Sequence, residues 1–497
     1  MTTFEPFPRS TPEQLGMSSE AIARFLDAIE AQGVEMHTFM LLRHGQIAAE
    51  GAWAPHRLDA PHMLFSLSKS VAATGIGIAA GEGLLSVDDL VISFFPEYIT
   101  EAIAANMADL RVRHLLAMST GHDVDTAIAQ RLEPNGDWVR AFFDTPIVHP
   151  PGTFFLYNNG ASYMLSAIVQ RVAGMTLLDY IRPRLLEPLG IGYARWETCP
   201  KGSSIGASGL HMTTDAIARF GQLFLQKGMW NGRRLLSEAW VEEASSCHTA
   251  NNPKGEARND WNSGYGYQMW QCRHDGAYRG DGACGQFCIV IPEQDAVIAI
   301  TGGTGKMGVL IDLIWTHLYP GFGSQGQFEG PDADRESAAL RERIAGLAYA
   351  PQEQPLAASP ALAARISGKR YSLEPNRKGA VAARFEFGVD GCTFRIRDAR
   401  GEHAIRCGSG EWLTGETLAA ENEWVKPVEA PWKVAASGGW QDERTYVMTW
   451  RFIETTFTCK VVCRFDADGE RVALDFTRNL SFEPYEFPTI PGTAVLE

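Results

Sequence analysis

The chain has 497 residues, 45% of them hydrophobic, and a formal net charge of −15. This length allows two or three domains with at least one large core, and the negative charge disfavours nucleic acid and anionic membrane surfaces as partners. No apolar run approaches the length of a membrane span, and the N-terminal residues lack the basic start and apolar stretch of a secretory signal, so we expect a cytoplasmic protein.

The N-terminal region predicts a helix, a hairpin and a buried helix. Ser18–Ile29 combines a serine cap with helical apolar spacing. Phe39–Leu42 and Ile47–Gly51 flank a turn and predict two paired strands. The run Val71–Ala80 is small and apolar on every side, so a helix there must be buried.

The middle of the chain changes from helix to strand. Residues 85–250 are mainly helical in pattern, whereas 264–270, 287–291 and 296–300 have the composition of strands. An amphipathic helix at Met307–Leu318 closes this part. Strands at both ends with helices between them predict an antiparallel sheet flanked by helices, together with a helical subdomain.

The last part of the chain differs in composition. We expect a first domain at residues 1–325, a Pro- and Ala-rich linker or bracing segment at 326–368, and an all-β domain at 369–497. Strand patterns around the Asp390-Gly391 turn indicate a hairpin. The C-terminal domain is therefore predicted to be an antiparallel sandwich or barrel, and its sequence contains no motif that indicates a function.

Nine cysteines are spread along the chain, an odd number without the spacing of a metal site. Cys284 and Cys288 lie four residues apart in strand-like sequence, as do Cys459 and Cys463, and this separation is too long for a bridge along one strand. We therefore expect free thiols, most of them buried.

Ser66 and Lys69 form the one S-x-x-K pattern in the sequence, at the start of the predicted buried helix. Side chains three positions apart on a helix lie on the same face. If both are shielded from water, the lysine loses its proton near neutral pH and activates the serine hydroxyl. Near the first helical turn, the Ser66 N–H is also available to an oxyanion. A helix cap followed by a surface lysine is the structural alternative.

Two further stretches have catalytic character. Tyr157 and Asn159 form the one Tyr-x-Asn pattern; a cationic lysine nearby would lower the tyrosine pKa, and the amide can orient a substrate carbonyl. A turn tyrosine beside an Asn-Gly turn is the alternative. Gly280–Gly282 precedes a strand, where glycines let a substrate approach the backbone and the Ala283 N–H can serve as a second oxyanion donor.

These three stretches, in this order, resemble the class C β-lactamase and penicillin-binding-protein-like superfamily of serine hydrolases, which includes the family VIII esterases and 6-aminohexanoate-dimer-hydrolase-like enzymes. The phrases His114–Gly121 and Ala207–Met212 add to the likeness, which covers roughly residues 10–320. The resemblance implies an α+β serine β-lactamase-like fold for this part. It also implies hydrolysis of small-molecule esters, amides or short peptides, with no metal or organic cofactor.

By this resemblance, each motif residue has a role. Ser66 is the acylated nucleophile, Lys69 the base and Tyr157 the proton relay, while Asn159 orients the substrate carbonyl. The N–H groups of Ser66 and Ala283 form the oxyanion hole, with Gly282 beside them.

The third motif departs from the pattern. β-Lactamases of this kind have Lys-Thr-Gly there, and this chain has Gly280-Asp281-Gly282. The cation is therefore missing, and the carboxylate of Asp281 takes the place of its neighbour. An aspartate there should repel an anionic β-lactam, so we expect at most weak β-lactamase activity. His274-Asp275-Gly276 is an alternative third motif, although it lies six residues too early.

Three other functions stay open at this point. An aminopeptidase or D-peptidase on the same scaffold would pair Asp281 with a substrate ammonium group. A β-lactamase of low activity is the second, and a non-catalytic binding or scaffold protein the third. The intact set of Ser66, Lys69, Tyr157 and Asn159 argues against a scaffold protein. Homo-oligomer formation cannot be read from the sequence and is left as a possibility.

Overall fold

The computed structural model describes residues 5–328, 330–356, 360–419, 431–480 and 488–495. The chain divides into two compact units, one of residues 1–51 and 61–346, the other of residues 52–60 and 347–497. The predicted linker at 326–368 contains two helices, Pro331–Ala345 and Ala361–Ile366. The first helix belongs to the first unit and the second helix to the second unit. The three domains predicted from the sequence stay a prediction.

A six-stranded sheet forms the centre of the first unit, in the order β2-β1-β11-β10-β9-β8. Its strands β1, β10 and β11 are buried along their whole length, as the apolar runs within them predict. The strands of the first unit are β1 Met36–Arg43, β2 Gln46–Ala52, β3 His62–Met63, β4 Arg195–Trp196, β5 Leu210–Met212, β6 Met229–Trp230, β7 Arg233–Arg234, β8 Trp270–Gln271, β9 Tyr278–Gly282, β10 Gln286–Ile291 and β11 Ala296–Gly302.

Helices cover this sheet and fill the rest of the unit. The α-helices of the chain are α1 Ser19–Ala31, α2 Ser68–Gly81, α3 Glu101–Asn106, α4 Val112–Leu116, α5 Ala127–Leu132, α6 Trp138–Asp144, α7 Asn159–Ala173, α8 Leu177–Ile181, α9 Glu187–Leu189, α10 Thr214–Leu225, α11 Glu238–Ser245, α12 Met307–Leu313, α13 Pro331–Ala345 and α14 Ala361–Ile366. Helix α10 packs on β1, β10 and β11, so closely that a Cβ at Gly221 would lie 2.5 Å from Val297 Cγ1. Helix α2 packs against α7, which brings the S-x-x-K and Tyr-x-Asn stretches together.

Two predicted elements differ in the structure. The strand predicted at 264–270 forms only at Trp270–Gln271, because Gly264 and Gln268 have positive φ angles of 114° and 57° that interrupt an extended backbone. The helix predicted at Met307–Leu318 is α-helical to Leu313 and continues as a π-helix over Ile314–Leu318.

The second unit contains a closed antiparallel β-barrel, one of the two architectures predicted for this region. Its described strands are β12 Arg370–Leu373, β13 Ala382–Gly388, β14 Gly391–Asp398, β15 Gly401–Ser409, β16 Leu413–Thr417, β17 Trp432–Trp440, β18 Thr445–Phe452, β19 Thr458–Phe465, β20 Arg471–Arg478 and β21 Ile490–Val495. They pair in the order β15-β14-β13-β12-β21-β20-β19-β18-β17-β16, and a short parallel contact between β15 and β17 closes the ring. Alternate residues of β14, β19 and β20 are buried, as expected where one face of each strand lines the barrel interior.

Within the described ranges, no helix combines the length and the apolar character needed to cross a membrane.

Candidate active site

Ser66 lies in a single 3₁₀ turn, Phe65–Leu67, between strand β3 and helix α2. Sequence analysis placed it at the first turn of the helix, but α2 begins two residues later at Ser68. Phe65 has a φ of 46°, which is unfavourable for a bulky side chain and marks local strain directly before the serine. Ser66 is half-buried, so its hydroxyl remains accessible to a substrate.

Strand β9 passes directly against this turn. A Cβ on Gly282 would lie 2.1 Å from the carbonyl oxygen of Leu64, and one on Gly280 would lie 2.3 Å from Leu67 Cδ1. A side chain at position 282 would therefore displace the backbone of the turn, and one at position 280 would displace the Leu67 side chain. Half-buried Ala283 follows at the end of the strand, so the structure brings the first and third motifs together.

Lys69 is buried, with only 1% of its surface exposed. Its Nζ lies 2.9 Å from Ser66 Oγ, 2.7 Å from Asn159 Oδ1 and 2.7 Å from the carbonyl oxygen of Ala207. Burial lowers the pKa of Lys69 to about 7, while the carboxylates of Asp125 and Asp281 act in the opposite direction. A lysine that is partly neutral at physiological pH can accept the proton of an adjacent hydroxyl.

Tyr157 is hydrogen-bonded to Ser66, and its ring centroid lies 5.0 Å from Lys69 Nζ. The expectation that the lysine would lower the tyrosine pKa is wrong. Burial raises the pKa of Tyr157 well above its ordinary value and outweighs the opposing effect of the Ser66 hydrogen bond. Tyr157 is therefore a protonated phenol at neutral pH, which can donate a hydrogen bond or relay a proton by giving one up as it accepts another.

Asn159 begins helix α7 and has its amide held on both sides. Its Oδ1 accepts from Lys69, and its Nδ2 donates to Asp125 Oδ2 at 2.6 Å. The backbone N–H of Asn159 also donates to Asp125 Oδ1, at 2.8 Å. Sequence analysis did not find Asp125; its one local signal is a carboxylate shortly after the His114–Gly121 phrase, and no motif includes it.

Asp281 is buried and forms an ion pair with Arg279 on the same strand. Arg279 Nε lies 2.9 Å and Nη2 2.8 Å from Asp281 Oδ2, and Trp261 is also hydrogen-bonded to this carboxylate. Because a guanidinium stays charged, it offsets most of the negative charge that the sequence suggested here. The repulsion of anionic substrates expected from Asp281 alone is therefore reduced. Arg279 was also missed, although it lies only two residues upstream of Asp281.

Aromatic side chains form one wall of the site. Trp270 stacks on Tyr157 with ring centroids 5.5 Å apart, and Tyr265 meets both rings edge-on. Phe155 packs against Tyr265 and Trp270. Tyr265 is buried, whereas Phe155, Tyr157 and Trp270 are partly exposed, so these three rings are the ones available to the apolar part of a substrate.

The alternative third motif lies elsewhere. The ring of His274 packs against Trp315 and Tyr319, with centroid distances of 4.5 and 4.4 Å. His274 is thus held by these two rings, whereas the glycines of β9 are the ones that contact the Phe65–Leu67 turn.

The sequence and fold can now be compared with known proteins. The beta-lactamase family profile matches residues 21–305, more than half of the chain. The 6-aminohexanoate-dimer hydrolase of Paenarthrobacter ureafaciens is 26% identical over 308 residues, which cover 58% of this chain and 78% of that protein. The lovastatin esterase of Penicillium rubens is 28% identical over 163 residues, covering 28% of this chain and 41% of the esterase.

One solved structure is similar over nearly the whole chain. The octameric penicillin-binding protein homologue of Pyrococcus abyssi has a TM-score of 0.51 and 16% identity, and the match covers 95% of this chain and 99% of that one. At this identity the likeness shows a shared fold alone. The matched profile over residues 21–305, more than half of the chain, establishes that the chain belongs to the beta-lactamase family.

Proposed function

We propose that this protein is a serine hydrolase that cleaves small esters or amides through an acyl-enzyme on Ser66. The observation that carries the proposal is the buried Lys69 amine, 2.9 Å from the hydroxyl of Ser66 and held by two further acceptors. Related chains named as a dimer hydrolase and an esterase support hydrolysis of amide and ester bonds as the reaction class.

Acylation follows from the hydrogen bonds around Lys69. In the neutral amine, Asn159 Oδ1 and the Ala207 carbonyl hold the two N–H groups, so that the lone pair faces Ser66 Oγ. The lysine takes the Ser66 proton as the oxygen attacks the substrate carbonyl carbon. The N–H groups of Ser66 and Ala283 are the proposed donors to the oxyanion. Tyr157, a neutral phenol, gives its proton to the leaving alcohol or amine, and the proton held by Lys69 restores it.

Deacylation reverses the proton flow. A water molecule passes a proton to Tyr157, which passes its own proton to the neutral amine of Lys69, as the water oxygen attacks the acyl carbon. The proton on Lys69 then goes to Ser66 Oγ as the carboxylic acid leaves. All bonds and protons balance without a further reactant. The partly exposed rings of Phe155 and Trp270, which pack on buried Tyr265, would hold an apolar acyl or leaving group.

The other functions fit these contacts less well. A peptidase that recognises an amine needs an open carboxylate, and Arg279 occupies Asp281. A β-lactamase of the usual kind needs a lysine at the position that Gly280 occupies here, and the neighbouring cation, Arg279, is ion-paired with Asp281. A scaffold protein would have no physical need for a buried lysine, because moving the lysine amine out of water costs stability.

Hydrolysis of p-nitrophenyl butyrate tests the proposal. We expect turnover by the wild-type protein, its loss in Ser66→Ala, and its retention in Ser93→Ala, a matched change at an exposed serine. Equal activity in Ser66→Ala and the wild type would remove Ser66 from the mechanism. Nitrocefin turnover comparable to ester turnover would favour the β-lactamase function instead.

A further inference from the structure

We propose that Asp125 is a positioning residue: it orients the amide oxygen of Asn159 toward Lys69, and the lone pair of the lysine nitrogen thereby stays directed at Ser66 Oγ. This inference rests on the proposed function, because it assumes that Lys69 is the base. Asp125 contacts Asn159, and Asn159 in turn contacts Lys69, so the effect of Asp125 on catalysis is transmitted through the Asn159 amide.

The orientation of the amide follows from what each group can donate. An ionised carboxylate only accepts hydrogen bonds, so the side of Asn159 that faces Asp125 must be its NH₂ group. The carbonyl oxygen then points the other way, to Lys69 Nζ at 2.7 Å. If the amide were reversed, its NH₂ group would face the lysine amine, and the lone pair of the amine would be drawn away from Ser66.

A set of reciprocal hydrogen bonds holds Asp125 in this place. Besides Asn159, its Oδ1 accepts from the backbone N–H of Ala127 at 3.1 Å. Thr126, the next residue, donates both its N–H and its hydroxyl to Asn158 Oδ1, at 3.2 and 2.8 Å. The loop can approach this closely because position 160 is glycine: a Cβ there would lie 1.9 Å from Thr126 Oγ1.

The charge of Asp125 acts on Lys69 as well. The charged and titratable groups facing Lys69 are Asp125, Asp281 with its partner Arg279, and the phenol of Tyr157. Arg279 offsets Asp281, whereas Asp125 has only neutral donors among its hydrogen bonds. Removing the Asp125 charge should therefore disfavour the lysine ammonium, so that the lysine loses its proton at lower pH.

The test measures how fast a fluorophosphonate probe labels Ser66 between pH 5 and pH 9, with the labelled residue identified by peptide mass spectrometry. The probe reacts once with an activated serine, so no knowledge of the natural substrate is required. The variants are Asp125→Asn, the exchange Asp125→Asn/Asn159→Asp, and Asp123→Asn. The last removes one charge from an exposed position in the same loop and is the matched control.

We expect Asp125→Asn to label roughly tenfold more slowly on the plateau, with the midpoint of the acid limb about one pH unit lower. The exchange restores the Asp–Asn hydrogen bond and places a carboxylate directly on Lys69, so its midpoint should rise above that of the wild type. Asp123→Asn should match the wild type in both rate and midpoint.

The proposal is overturned if Asp125→Asn labels more slowly but the pH midpoint of labelling is that of the wild type in both this variant and the exchange variant. Asp125 would then be a cap of helix α7 only. Thermal unfolding checks that each variant folds; if Asp125→Asn does not, the direction of the shift in the exchange variant decides. Failure of the probe to label Ser66 in the wild type is a different result, since it refutes the proposed function itself.

Discussion

Burial and charge act in opposite directions on Lys69. A lysine moved out of water favours its neutral form, while two carboxylates nearby favour the ammonium, and the balance lowers its pKa to about 7. A base with this pKa is half neutral at physiological pH and still basic enough to take a serine proton. The residue is therefore tuned by its surroundings, because the S-x-x-K spacing alone sets only its distance from Ser66.

The activity should depend on pH accordingly. Since the neutral lysine is the reactive form, kcat/KM for an ester should rise with pH and level off above the pKa of Lys69, near pH 7. Below that value it should fall roughly tenfold per pH unit. A pH–rate profile of p-nitrophenyl butyrate hydrolysis checks this, and a flat profile from pH 5 to pH 9 would exclude Lys69 as the base.

Tyr157→Phe removes the phenol that is hydrogen-bonded to Ser66 and retains the ring that stacks on Trp270. We expect kcat to fall about 10²- to 10⁴-fold, the usual loss for a missing proton donor, with the fold intact. Stopped-flow release of p-nitrophenol separates the two half-reactions. A variant with wild-type kcat would mean that Tyr157 is only part of the aromatic wall.

The sequence indicated which residues meet in the candidate site better than it indicated their electrostatics. Ser66, Lys69, Tyr157 and Asn159 were found because each lies in a local pattern, and the structure brings all four together. The raised pKa of Tyr157 could not be predicted, since it depends on burial by distant segments. Asp125 was missed for a similar reason: its partner is 34 residues away along the chain.

At the scale of elements, the glycines of β9 decide how closely the strand approaches the Phe65–Leu67 turn. Gly282→Ala would place a methyl group 2.1 Å from the Leu64 carbonyl oxygen, so the turn that holds Ser66 must move. We expect a loss of about 1–3 kcal/mol in the free energy of unfolding and at least a tenfold loss of ester hydrolysis.

Gly192→Ala is the matched control for this change, because Gly192 has no neighbour within 4 Å of the added Cβ and no positive φ. Chemical denaturation and ester hydrolysis should both match the wild type in the control. A Gly282→Ala protein with normal activity would show that the contact between β9 and the turn is not required for the site.

Elements with a strong local pattern were predicted well, and those set by long-range contacts were not. Strand β10 is one apolar run and was found nearly complete, at 287–291 against Gln286–Ile291. The segment 264–270 has an equally strand-like composition, yet Gln268 adopts a positive φ while its side-chain Nε2 donates to the carbonyls of Leu115 and Leu116. Those partners lie far away in sequence, so no local pattern revealed them.

At the scale of the whole molecule, the cysteines give a simple check of the structure. All nine are unpaired, and Cys247 alone among them is exposed. Buried thiols are inert, so titration with a thiol reagent should modify about one cysteine in the native protein and nine after denaturation without reductant. Fewer than nine in the denatured protein would mean that disulfides are present, contrary to the fold described.

The second unit is a closed barrel, and the choice between barrel and sandwich could not be made from the sequence. Both architectures need the same alternation of buried and exposed residues, as in β19. The deciding feature is the contact of Gly408 and Ser409 with Ser437 and Gly438, which closes the ring. The residues of the proposed mechanism all belong to the first unit, and none belongs to the barrel.

The most direct measurement is the mass of the protein quenched in acid during turnover of p-nitrophenyl butyrate, using Tyr157→Phe to slow deacylation. We expect one added butyryl group per chain, mapped by peptide mass spectrometry to Ser66, and none in Ser66→Ala. A butyryl group on another residue, or rapid p-nitrophenol release with no covalent species in either protein, would refute an acyl-enzyme on Ser66.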